Sequence, residues 1–153
     1  INSIKHILKK NNLTITEIDH IVFYEKPFLK FTRLLETYLA HAPVGFASFK
    51  KAIPTWIKEK LFQKREIINE LKKLDDSFNG KILFSEHHIS HAASAFYPSP
   101  FEESLIITLD AVGEYTTSSI AVGKGNKINL KKKIDYPHSL GMLYSAFTYY
   151  CGF

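Results

Sequence analysis

Three consecutive runs decide the fold: Leu105-Ile106-Ile107-Thr108-Leu109, then Asp110-Ala111-Val112-Gly113-Glu114-Tyr115-Thr116, then Thr117-Ser118-Ser119-Ile120-Ala121-Val122. The first is the most apolar stretch of the chain, which predicts a strand suited to a sheet covered on both faces. The last predicts a second strand, paired with the first across a turn at Gly113-Glu114. Gly123-Lys124-Gly125-Asn126 forms the next turn, and Ile128 to Ile134 a third strand, so the three make a meander. Before them, His87 to Phe96 is rich in alanine and serine and predicts a tightly packed helix, stopped by Pro98 and Pro100. After them, Leu140 to Tyr150 predicts a closing helix.

The N-terminal half is more helical. Residues 3–11 place Ile4, Ile7 and Leu8 on one helical face, and Ile21-Val22-Phe23-Tyr24 follows as a short buried strand. Pro27 starts a helix with Phe28, Phe31, Leu34, Leu35 and Tyr38 on its inner side, broken by Pro43 and Gly45. A second helix is expected after Pro54 and a third from Arg65 to Leu74. Asn79-Gly80 is a turn, and Lys81-Ile82-Leu83-Phe84 a strand. This order predicts an α/β fold with a mixed sheet and flanking helices.

Composition narrows the class. The 153 residues carry 20 Lys+Arg against 15 Asp+Glu, with 45% hydrophobic and 23% charged residues, which excludes a disordered tail, a collagen-like repeat and a disulfide scaffold. A single cysteine, Cys151, cannot form an internal disulfide, so a cytoplasmic setting is expected. No apolar run approaches the roughly 20 residues that span a bilayer, so no membrane partner is expected. The first residues show no start methionine and no signal-peptide pattern, and the chain stops abruptly at Phe153, so it reads as a piece of a longer protein. Between Pro27 and Arg65, eight basic residues face only Glu36 and Glu59, with seven aromatics interleaved. Such a stretch can bind nucleic acid. The helical spacing of its apolar positions favours solvated lysines over a buried aromatic face, so nucleic acid is not the expected partner.

The chemistry concentrates in Glu86-His87-His88-Ile89-Ser90-His91. A spacing of four puts His87 and His91 one above the other, about 6 Å apart along the helix axis, where two imidazoles can hold one transition metal. A histidine cluster that merely caps and packs is the alternative. The zinc-protease pattern is excluded, because His88 stands where a glutamate is required. Asp110 ends the most apolar strand, where open α/β sheets place ligand-binding groups. There it is a metal ligand, a cap for the turn or a general base. Two histidines and a carboxylate suit iron(II) or zinc with positions left open. The turn after Asp110 can form an anion-binding concavity from its backbone amides.

The run HHISHAASAFYPSPFEESLIITLDAVGEYTTSSIAVGKGN and the later YPHSLGMLYSAFTYYCGF resemble the nodulation-type and antibiotic-tailoring O-carbamoyltransferases. Residues 23–43, FYEKPFLKFTRLLETYLAHAP, resemble that family's helical insertion, taken here as residues 27–76. The resemblance implies an incomplete N-terminal domain of actin/Hsp70-like (ribonuclease-H-like) fold over residues 1–153. It implies transfer of a carbamoyl group from carbamoyl phosphate, through carbamoyladenylate made with ATP, to a hydroxyl of a small-molecule acceptor. A tRNA threonylcarbamoyladenosine-type transferase and a non-catalytic actin-like nucleotide-binding module are the alternatives. It further implies a divalent transition metal, iron ahead of zinc, held by His87, His91 and Asp110. The loop Val112-Gly113-Glu114 would approach the phosphate or carbamoyl group through its backbone. Ala111 departs from the glycine usual in relatives, and no catalytic base is assigned. The 153 residues alone are expected to be inactive.

Overall fold

The computed structural model describes residues 1–60 and 62–153, with the side chains of all of these except 59 and 60. Position 61 of the expected 27–76 insertion therefore lies outside the described residues. The chain divides into two compact units, residues 1–23 with 36–84 and residues 24–35 with 85–153.

In the first unit, α1 (Asn2–Lys10) lays Ile4 and Leu8 on a core of Ile15, Leu71, Phe78 and Ile82, while Ile7 is exposed. A single 3-10 turn, Ile15–Glu17, buries Ile15; it is fixed by Glu17, whose carboxylate accepts from the Thr14 amide at 2.7 Å. β1 (His20–Phe23) and β2 (Lys81–Phe84) pair in parallel, His20 opposite Lys81 and Phe23 opposite Phe84. Gly80 precedes β2 because a Cβ there would stand 2.4 Å from the Phe78 ring. α2 (Pro27–Ala40) starts in the second unit and ends in the first. α3 (Phe46–Lys60) and α4 (Gln63–Lys72) follow, α4 supplying Ile67, Ile68 and Leu71 to the core.

Several details of this region differ from the sequence reading. Val22 and Tyr24, expected in a buried strand, are 59% and 51% exposed, and Phe46 and Phe62, expected on a buried aromatic face, are 65% and 44% exposed. Phe28, expected on the inner side of α2, is 64% exposed. Pro54, expected to precede a helix, lies inside α3, which starts at Phe46. The start is set by Gly45, at φ +85°, and by Phe49, whose ring packs on Phe46 and Tyr38. That aromatic cluster fixes the first turns of α3 upstream of the proline.

The second unit carries the site. α5 (His87–Phe96) lies on an antiparallel sheet of order β3 (Glu103–Leu109), β4 (Thr116–Lys124), β5 (Lys127–Asp135). Leu105 stands opposite Val122 and Leu109 opposite Ser118. Ala92 and Phe96 of α5 bury against Ile106 and Ala121. Gly123 permits this contact, since a Cβ there would be 2.7 Å from the Phe96 ring. α6 (Leu140–Tyr150) follows, its N-cap Ser139 accepting from the Met142 amide at 3.0 Å.

The α/β class stands, with two corrections. Among the described residues, parallel and antiparallel pairings occur in two separate sheets rather than one mixed sheet: β1 and β2 pair with each other, while β3 turns back directly onto β4. β3 is covered on one face within its unit, not both: Ile106 and Thr108 are buried under α5, while Leu105, Ile107 and Leu109 are 61–65% exposed. An apolar run reports total hydrophobicity, whereas the antiparallel pleat sends alternate residues to opposite faces. Among the described residues, no helix is long and apolar enough to cross a membrane.

Candidate metal centre

Asp110 continues the β3 ladder, its amide donating to the Thr117 carbonyl at 2.9 Å. Its Oδ1 accepts from the Ala111 amide at 2.7 Å, which leaves Oδ2 directed at α5. His87 is the first residue of that helix, and its Nε2 lies 2.9 Å from Asp110 Oδ2. One helical turn on, His91 Nε2 lies 2.9 Å from His87 Nε2 and 4.0 Å from Asp110 Oδ2. The structure thus brings together all three residues expected from the sequence, with their ligand atoms within 4.8 Å of one another.

The donor set suits a transition ion. Neighbouring ligands about 2.0–2.1 Å from one ion stand roughly 3 Å apart, the spacing of the two short edges here. The long edge is also within the roughly 4 Å that two such bonds span. The His87 and Asp110 side chains are 14% and 28% exposed and His91 is 49% exposed, so the cluster opens to solvent on the His91 side. Two imidazoles and one carboxylate are the mixed nitrogen and oxygen set that iron(II) and zinc accept.

His88 points away from this cluster, as the helical repeat of about 100° requires. It is 4% exposed, with Nδ1 2.6 Å from Thr108 Oγ1, which lies 2.6 Å from Ser119 Oγ. Burial holds its imidazole below the usual histidine range, and the ring packs α5 on the sheet.

The loop at Val112-Gly113-Glu114 is directed inward. The Gly113 amide donates to the Thr116 carbonyl at 2.9 Å, and a Cβ at Gly113 would stand 3.1 Å from His87 Cβ. Val112 is half-buried, and Glu114, expected to act through its backbone, buries its carboxylate at 6% exposure. Glu114 Oε1 accepts from the Lys26 amide at 2.8 Å, and both oxygens lie 3.1 Å from the His87 amide nitrogen. Ser139, not singled out by the sequence reading, donates its hydroxyl to the Ala111 carbonyl at 2.7 Å and clamps the backbone beside Asp110. Its one readable signal was the helix-capping position before Leu140.

Residues 1–153 match the family model described as Carbamoyltransferase N-terminus. The uncharacterized protein sll1178 of Synechocystis sp. is 50% identical over 153 residues, covering 98% of this chain and 25% of that protein. The Nodulation protein NolNO of Sinorhizobium fredii is 41% identical over 73 residues, covering 48% of this chain and 11% of that protein. The Nodulation protein NolO of Bradyrhizobium diazoefficiens is 38% identical over 66 residues, covering 43% of this chain and 12% of that protein. The chain thus spans a quarter or less of the length of these relatives.

Proposed function

The chain belongs to the carbamoyltransferase N-terminal family, and from that premise we propose that the full-length protein is an O-carbamoyltransferase. With one water, carbamoyl phosphate and ATP give carbamoyladenylate, pyrophosphate and phosphate. The hydroxyl of a small-molecule acceptor then attacks the carbamoyl carbon, and AMP leaves. The convergence of His87, His91 and Asp110 is the observation that carries this reading, because a family resemblance alone says nothing about whether a site is assembled.

In this reading His87, His91 and Asp110 hold a divalent transition metal, iron ahead of zinc. Such an ion, when bound, supplies Lewis-acid stabilisation of charge on phosphoryl and carbamoyl oxygens. Asp110 keeps one oxygen on the Ala111 amide and offers the other to the centre, so its carboxylate is oriented before any ligand arrives. The exposed His91 side is the approach for nucleotide and carbamoyl phosphate. The loop Val112-Gly113-Glu114 borders that approach, and Gly113, lacking a Cβ, leaves room for the His87 side chain.

The domain as a whole is read as actin/Hsp70-like, with residues 27–76 as a helical insertion and a cytoplasmic setting. The β3–β4–β5 meander supports the fold part of that reading, and the succession of α2, α3 and α4 supports the helical insertion. The 153 residues alone are proposed not to turn over, because they span 25% of the length of the Synechocystis relative and catalysis needs every reacting group held in one geometry. Incubating the full-length protein with ATP, with and without carbamoyl phosphate, tests the reaction. Pyrophosphate release that depends on carbamoyl phosphate is expected; release equal in its absence would reject it.

A further inference from the structure

The two helices that begin beside the site share an electrostatic deficit. Neither α2 nor α5 has an acidic residue in its first turn, and Glu86, the α5 N-cap, makes no side-chain capping bond. Both helix starts therefore present amide donors and a partial positive charge without a carboxylate from their own first turns. Glu114 supplies it for both. Its buried carboxylate accepts from the amide just before α2, that of Lys26, and from the first amide of α5, that of His87. A bridge from Lys26 Nζ to Glu86 Oε1, 3.0 Å long and exposed, ties the same two ends a second time.

The turn that carries Glu114 also carries Asp110. Over five residues, it offers Asp110 Oδ2 to the His87 ring, leaves room beside that ring at Gly113, and grips the His87 amide through Glu114. Both ends of His87 are thus referenced to one short piece of backbone. We propose that Glu114 is a positioning residue of the metal centre: its carboxylate fixes the height of α5 on the sheet, and so the separation of His87 Nε2 from Asp110 Oδ2. The inference rests on the reading of His87, His91 and Asp110 as metal ligands. Partners that orient a ligand typically change metal affinity about 10–100-fold when removed.

The test uses the full-length protein and cobalt(II), whose visible absorption reports ligand geometry. Wild type, Glu114→Ala, Glu114→Gln, His87→Ala and the exposed control Glu103→Gln are titrated with the ion. Glu114→Ala is expected to weaken binding about 10–100-fold and to shift the absorption bands. Glu114→Gln keeps one acceptor oxygen for both amides, so its loss should be smaller, about 3–10-fold, and Glu103→Gln should match wild type. A merely structural Glu114 would lower folding stability but leave affinity and bands of the folded protein unchanged. That result overturns the proposal. If Glu114→Ala does not fold, Glu114→Gln decides: wild-type affinity and bands overturn the proposal, and weakened binding with shifted bands supports it. Wild type that takes up no cobalt, or His87→Ala that binds like wild type, removes the metal reading itself and the proposal with it.

Discussion

Gly141 is packed onto the backbone of Asp110 so closely that a Cβ at position 141 would stand 2.4 Å from the Asp110 carbonyl oxygen and 2.8 Å from the Ala111 nitrogen. Both obstacles are main-chain atoms, so no side chain can swing aside. Ser139 holds the same backbone through its bond to the Ala111 carbonyl. The start of α6 is thereby a template for the turn that carries Asp110. Gly141→Ala should cost about 1–3 kcal/mol from overpacking, despite alanine's better helix propensity. It should also weaken metal binding by moving Asp110. Thermal unfolding and a cobalt(II) titration of the full-length variant check both halves.

The three neighbouring histidines should separate cleanly. His87→Ala and His91→Ala each delete one of the proposed ligands and should abolish measurable metal binding. His88→Ala should retain it, because that ring faces Thr108. Its cost should be stability instead, about 1–3 kcal/mol from a buried hydrogen bond lost and Thr108 left short of a partner. A metal titration alongside urea unfolding of the three variants distinguishes the roles.

Thr117 is fully buried, with its hydroxyl 2.6 Å from the His138 carbonyl and 3.0 Å from that of Ile134. It thereby ties β4 to the segment that leads into α6. Thr117→Val keeps the shape and removes the donor, so two part-buried carbonyls lose this hydroxyl as a partner. The expected loss is about 1–3 kcal/mol, read as a lower urea midpoint.

Burial pushes the Asp135 carboxyl up, but bonds from Lys133 and Thr116 outweigh it and hold the group below the usual carboxylate range. A folded value below the unfolded one, about 3.9, means the contribution is complete above that pH and fades as pH falls through the folded value. The side chain is 39% exposed, so solvent screening limits the effect to about 1 kcal/mol or less. The stability gap between wild type and Asp135→Asn should be constant from about pH 5 to 8 and shrink below about pH 4, measured by urea unfolding across that range.

The pairing of His87 with His91 was legible because helical spacing is a local property: the two meet whenever that segment is helical. Asp110 was legible from its place at the end of an apolar run. Glu114 was named from the sequence for its backbone, but the role of its carboxylate was not legible, since that group's partners lie 27 and 88 residues away in the chain. No local pattern encodes a contact of that separation. The one-sided burial of β3 and the true start of α3 escaped for related reasons. Composition cannot say which face a neighbour covers, and Pro54 is a stronger local signal than the aromatic cluster of Tyr38, Phe46 and Phe49 that starts the helix.

The central claim is that carbamoyl activation depends on a metal held by His87, His91 and Asp110. Its most direct measurement is pyrophosphate release from ATP and carbamoyl phosphate by the full-length protein, stripped of metal and then resupplied with iron(II). Wild type should lose the activity on stripping and regain it with iron(II), while His91→Ala should remain at least about 100-fold slower under the same supply, as for the loss of roughly 3 kcal/mol of transition-state stabilisation. Stripped wild type that works as fast as the reloaded protein, or His91→Ala at the wild-type rate, would contradict the account.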